Sequence, residues 1–292
     1  MYLQIWPLTG GNELRTSILM GKVFKSILWF VAFFTIGVLL SILSYILKEG
    51  VGGISLDFLL GKPEAMGKEG GIFPIIVGTI YVTAVAIAIA TPIGIGGAIY
   101  FNEYSRDTRF IRVLRFGTET LAGIPSIIFG LFGFTFFVIW LGLGWSIISG
   151  GLTLAFMILP TIVRTSEEAL KAVPRSYREG SLALGATMWE SIVNIVLPAA
   201  SPGIVTGIIL SIGRAIGETA AVLLTAGSSL KIPHSLLDPA RTMSIHLYIL
   251  TTEGLSMENA YRTATVLVFM ILIINTTANL LRKKLSSRAY KG

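Results

Sequence analysis

No cysteine occurs among the 292 residues, which excludes disulfides and thiolate metal sites. Charge is scarce as well. Asp, Glu, Lys and Arg make up 13% of the chain, where soluble domains carry about 25%. No G-x-x-x-x-G-K-[ST] stretch is present, so a nucleotide-binding P-loop is excluded. The only histidines, His234 and His246, lie twelve residues apart in a hydrophilic connection. They read as solvated loop side chains, and no metal site or catalytic residue is expected.

What fills the chain instead is apolar. Hydrophobic residues make up 53%, and mean hydropathy is +0.77. So much apolar surface needs lipid. Residues 26–47 are 22 uncharged positions, enough for one span through roughly 30 Å of hydrocarbon. A cleaved signal peptide is the rival, but the run is long for one and no small-x-small site precedes Lys48. Residues 71–101 form the second run. Thr91-Pro92 with Gly94, Gly96 and Gly97 predicts a kink or a close helix approach. Residues 120–163 are 44 uncharged positions, and one helix of that length would measure about 66 Å. Two spans are therefore expected, with a turn at 141–145 between Trp140 and Trp145. Residues 191–230 read as the fifth span, interrupted by Arg214 and Glu218, and residues 263–281 as the sixth. The fold class is all-α, a polytopic membrane protein of six helices.

Six spans put both termini on one side. Sixteen of the 23 Lys and Arg residues fall on the terminal side, in residues 1–25, 102–116, 164–178 and the tail. Six fall on the other side. The positive-inside rule then places the termini in the cytoplasm of a plasma or bacterial inner membrane. Arg106, Arg109, Arg112 and Arg115 recur at three-residue spacing and suggest an anion or nucleic-acid stripe. Their loop is better explained by topology, and the net charge of +7 by attraction to anionic membrane lipid. No nucleic-acid partner is expected. The organisation is a cytoplasmic segment 1–25, a first helix 26–47, an outer loop 48–71, a transmembrane domain 72–282 and a tail 283–292. The domain contains a cytoplasmic loop 165–191 and an outer loop 226–262.

Two features carry function. The first is residues 177–198, YREGSLALGATMWESIVNIVLP, wedged between apolar runs. It reads as a short helix, a turn and re-entry into the membrane. Tyr177, Ser181 and Leu184 share a face by spacing, and Arg175 and Glu179 can pair in the weaker charge order. Gly185 stops the helix. The second feature is charge inside or beside apolar spans. Arg214 and Glu218 are four residues apart and can pair on one helix; Arg164 and Glu167 can pair at i, i+3. Either pair is a structural ion pair or anchor, or it belongs to an anion pathway, where a guanidinium suits bidentate recognition of an oxyanion. Position alone leaves both readings open.

Glu179, Gly185, Ile195, Leu197 and Pro198 match E-x5-G-x9-I-x-L-P and resemble the EAA loop of type I ABC importer permeases. The usual Glu-Ala-Ala is Glu179-Gly180-Ser181 here. GGIFPIIVGTIY, PIGIGGAIYFNEY, LAGIPSIIFGLFG, RTSEEALKAVPRSYREGSLALGAT and GRAIGETAAVLLTAG together resemble the PstA-type permease family of phosphate ABC importers. The sister PstC-type family shares versions of two of these blocks. The resemblance implies an alternating-access permease that pairs with a homologous PstC-type permease. Its further partners would be a PstB-type ATPase dimer, which holds the ATP and magnesium, and a PstS-type phosphate-binding protein. This chain would bind no cofactor. Tyr177, Glu179, Gly180, Ser181, Ala183, Leu184 and Gly185 would couple to the ATPase. Arg214, Glu218, Arg164 and Glu167 would line the phosphate pathway. A permease for another oxyanion such as sulfate or molybdate, an ion-coupled secondary anion transporter and a non-transporting scaffold are the alternatives.

Overall fold

The computed structural model describes residues 11–105 and 108–289. Residues 1–10, Arg106 and Lys291 lie outside them. The chain divides into two units, residues 1–49 and residues 50–292. In the first, helix α1 (Gly11–Val51) extends well beyond the expected 26–47 on both sides. Lys48 and Glu49 do not end it, because a charge at a helix end leaves the backbone hydrogen bonds intact. From Met20 to Ile42 every position of α1 is exposed, and between Lys25 and Lys48 no face of the helix carries a charge. Such a surface is that of a membrane span.

In the second unit, α2 (Leu56–Leu60) is capped by Ser55, whose hydroxyl accepts from Phe58 N at 3.1 Å. Beyond it β1 (Pro63–Glu64) and β2 (Glu69–Gly70) pair antiparallel, a small departure from all-helical structure. The core is built by α3 (Phe73–Ile99), α6 (Ile147–Lys171) and α9 (Leu197–Ile216). Val82, Ala86 and Ala90 of α3 pack with Leu154, Ile158 and Ile162 of α6. Small residues let the backbones close up: a Cβ at Gly94 would lie 2.7 Å from Ile162 Cγ2, and one at Gly203 2.6 Å from Ala169 Cβ. Pro92 sits within α3 without ending it, so close approach is the role that the Thr91–Gly97 stretch fulfils. A wide π turn, Tyr100–Tyr104, finishes α3.

The 44-residue uncharged run does divide in two, and Gly142 and Gly144 make the turn with φ of 66° and 64°. Its first half is not one straight span. Helix α4 (Arg109–Ala122) meets α5 (Ser126–Gly133) at a bend of 104°, and a π-helical stretch, Phe134–Trp140, completes α5. Pro125 explains the bend, since the residue before a proline is pushed out of the helical region. The fifth span also ends early. It begins with α8 (Met188–Ser191) and a π turn (Ile192–Val196), runs through α9, and stops at Ile216. A separate α10 (Ala220–Thr225) follows. Among the described residues, five helices, or six with the bent pair, are long and apolar enough to cross a membrane.

The 226–262 connection is not simply a polar loop. Helix α11 (Met243–Thr252) lies within it, and Met243, Ile245 and Leu250 are completely buried. The sixth span is in α12 (Met257–Ala289). His246, expected in solvent, is 1% exposed. Its Nδ1 lies 3.5 Å from Arg241 Nη1, and its ring packs so closely on Gly67 that a side chain there would clash, at a φ of 93° that favours glycine in any case. Arg241 also donates to Ser228 O at 3.1 Å and Met66 O at 3.4 Å, so it ties the two connections together. Burial, and secondarily Arg241, pushes the His246 pKa down to about 4. An unfolded histidine titrates near 6.5. Between those values the unfolded chain binds the extra proton, so stability falls as pH drops from about 6.5 toward 4. Melting of the purified protein is expected at a lower temperature at pH 5 than at pH 7, and His246→Gln is expected to flatten that difference.

Candidate functional site

The loop after α6 is built from strong local signals. Pro174 precedes α7 (Arg175–Ala183) and supplies its fixed φ at the entry. At the other end Gly185 adopts φ 89°. Its N–H donates to Leu182 O at 3.0 Å, and Ala186 N donates to Ser181 O at 3.1 Å. These two bonds make a Schellman motif and satisfy the last carbonyls of α7. Two residues on, Thr187 and Glu190 form a reciprocal capping box that starts α8. Ser181 Oγ donates to Ser191 Oγ at 2.6 Å and closes the turn from inside.

Exposure divides the loop into two faces. Ser181 is buried at 4%, whereas Tyr177 is 52% and Leu184 91% exposed. The three therefore do not form one common face: Ser181 holds the turn and the other two point outward. Glu179, Gly180, Ala183 and Gly185 are exposed too. Leu182, Met188 and Trp189 add apolar surface beside them. Exposed apolar patches rimmed by polar residues are a common feature of interaction sites. Arg175 and Glu179 form no ion pair among the described residues. The guanidinium that is engaged is Arg178, which grips Glu103 of the π turn at 2.7 Å.

The embedded charges are arranged differently from their spacing. Arg164 pairs with Glu168, Nε to Oε1 at 3.4 Å, not with Glu167. Glu167 is buried and takes Arg115 of α4 at 2.9 Å and Lys171 at 2.7 Å. These side chains line a cavity of about 270 Å³ between α4 and α6, together with Glu119. Arg164 and Glu167 thus share a site through different partners. Arg214 is elsewhere, in the last turn of α9, exposed, with no ion-pair partner among the described residues. Glu218 cannot face it across a helical turn, because α9 has already ended. The Glu218 carboxylate instead accepts from Ala221 N at 3.2 Å, and its backbone carbonyl accepts from Ser244 Oγ at 2.7 Å. A break in a span is tolerated where protein or a water-lined cavity satisfies the freed backbone. A cation in the last turn of α9 is also favoured by the helix dipole.

Residues 90–290 match the family described as the binding-protein-dependent transport system inner membrane component. The chain belongs to this family. It is an ABC importer permease, a multi-pass membrane subunit. Over 257 residues it is 34% identical to the probable ABC transporter permease protein YqgI of Bacillus subtilis, covering 82% of this chain and 87% of that one. Over 266 residues it is 32% identical to the phosphate transport system permease protein PstA of Pasteurella multocida, covering 90% and 94%. Among solved structures, a bacterial alginate ABC transporter in complex with an alginate-bound periplasmic protein matches with TM-score 0.65 at 15% identity, over 96% of this chain and 98% of that one. The inward-facing MetNI methionine transporter matches with TM-score 0.59 at 19% identity, over 71% and 93%. The fold is that of type I ABC importer permeases.

Sequence spacing in this permease missed Arg115 and Arg178 as site residues. Arg115 stands 52 positions before its partner Glu167, and Glu103 stands 75 before Arg178. Only the acidic residue set in the apolar AIYFNEY block hinted at the second pair.

Proposed function

We propose that this permease forms, with a homologous PstC-type permease, the membrane pathway for inorganic phosphate. The similarity to PstA from Pasteurella multocida over nine-tenths of the chain carries this reading. The permease does no bond chemistry. A separate PstB-type ATPase dimer binds ATP and magnesium, since no P-loop stretch is present in this chain. Closure of the ATPases on ATP pulls on α7 and opens the cavity outward, where a PstS-type protein delivers phosphate. The excess of Lys and Arg on the terminal side supports a topology with both termini and α7 in the cytoplasm.

Arg214 offers its guanidinium to the passing oxyanion from the end of α9. Arg164 acts at a second station, where Glu168 and Glu167 temper its hold. A route must release what it binds. Glu218 orients the break after α9 and leaves the Arg214 charge unneutralised. Purified complex in vesicles, with the ATPase and the phosphate-binding protein, is expected to accumulate radiolabelled phosphate only with ATP. Sulfate and molybdate in excess are expected not to compete. Uptake without ATP would favour an ion-coupled carrier, and competition would favour another oxyanion.

A further inference from the structure

The guanidinium of Arg178 joins three elements. It belongs to α7. Its Nη1 donates to Val173 O and its Nη2 to Leu170 O, both at 2.9 Å, at the end of α6. Its Nε and Nη2 donate to the Glu103 carboxylate at 3.0 and 2.7 Å. Glu103 lies in the π turn that finishes α3 and also accepts from Asn102 Nδ2 at 2.6 Å. The side chains are largely shielded, 20% exposed for Arg178 and 5% for Glu103. A shielded, bidentate, charge-assisted pair is stiff, and an ammonium cannot reproduce its fork.

The surroundings give that stiffness a purpose. The same short helix and its C-cap carry the exposed side chains of Tyr177, Leu182 and Leu184. Only residues 172–174 separate α6 from α7, and on the far side Gly185 turns the chain sharply. Among the described residues, no other ion pair joins α7 to the end of α3. The π turn swells the end of α3 where Glu103 must reach α7, and π turns recur at functional sites. Beyond the turn, α3 packs along α6 through Val82, Ala86, Ala90 and Gly94.

We infer that Arg178 and Glu103 are positioning residues that lock α7 to the cytoplasmic end of α3, so that a pull on α7 moves α3 and α6 as one body. The inference rests on α7 being the ATPase-coupling helix. It adds which contact carries force out of that helix, and into which span.

The experiment uses the full importer in vesicles. Glu103→Gln keeps the size but removes the charge and one of the two acceptor oxygens; Arg178→Lys keeps the charge but removes the fork. Both are expected to retain the ATPase at wild-type stoichiometry and to go on hydrolysing ATP. Phosphate imported per ATP is expected to fall about tenfold, within the usual range of coupling between sites. A purely structural staple would change yield or melting temperature and leave that ratio alone. Wild-type phosphate per ATP in Glu103→Gln overturns the inference, as does loss of the ATPase from that variant, which would make the pair a docking element. If Gly185→Pro still releases the ATPase, the coupling role of α7 survives such a result. A second measurement needs no disruption of the pair. The chain has no native cysteine, so spin labels can be placed by Ser176→Cys on α7 and Tyr104→Cys on the π turn. The label separation is expected to be the same in nucleotide-free and vanadate-trapped importer. A shift between the two states overturns the inference.

Discussion

Arg214→Gln is expected to reduce phosphate uptake to background while the complex still assembles. The reason lies in where Arg214 sits. It ends α9, faces outward from this chain and has no ion-pair partner among the described residues. A charge in or beside an apolar span is costly to hold there, and such residues usually face a cavity or a substrate path. A hydrogen bond to a charged group contributes about 1.5–3 kcal/mol, and Gln forfeits the charge and the fork together. That corresponds to roughly ten- to hundredfold in binding at this station alone, and an attracting potential along the route is lost with it. Radiolabelled uptake, with co-purification of the ATPase as the assembly control, measures it. Arg214→Lys is expected to fall between wild type and Gln. Arg164→Gln is expected to cost less, because Arg164 already shares its charge with Glu168. Wild-type uptake by Arg214→Gln would refute the pathway role.

Release of the ATPase is the second large effect, expected from Gly185→Pro and from Glu179→Lys for different reasons. Gly185 needs φ of 89° and donates its N–H to Leu182 O. Proline fixes φ near −65° and has no N–H, so the turn that aims α7 cannot form, at a cost of about 3 kcal/mol or more. Gly185→Ala keeps the N–H and pays only the left-handed strain, about 1–2 kcal/mol, so partial retention is expected. Glu179 is exposed and forms no ion pair within the described residues. Reversing its charge leaves α7 intact and alters only what docks there. Pull-down of the ATPase on the tagged permease reads both variants, and undiminished recovery of the ATPase would count against the coupling assignment.

The loop of residues 174–191 was legible because its signals are local. Gly185 acts within a turn of itself, as do Pro174 and the Thr187–Glu190 box, which the sequence reading did not use, and the structure puts a helix, a left-handed turn and a helix there. The broad span count was legible from uncharged run lengths. The breaks inside those runs were not. Where nearly every position is apolar, periodicity carries no sense of face, and the bend before Ser126 and the end of α9 at Ile216 leave no hydrophobic mark. Pro125 and Gly217 were there to be read, yet proline and glycine also sit inside continuous membrane helices, as Pro92 does in α3. Partner choice among charges failed for another reason. Spacing offers Glu167 to Arg164 and Glu218 to Arg214, but long side chains reach across the fold, and Glu167 went to Arg115. His246 was misread because its connection is polar overall, while the ten residues of α11 around it are apolar enough to join the core.

The π turn at Ile192–Val196 lies between the capping box of α8 and the start of α9. Such a turn accommodates one residue more than an ordinary helical turn. Wound as plain helix with the same number of residues, the segment would swivel everything past it by about 100° relative to α7. The swivel would carry the Arg214 side chain around the barrel of α9 to a neighbouring sector. The wide turn therefore works as an angular setting: it fixes the bearing of a distant cation relative to the surface on which the motor is proposed to pull.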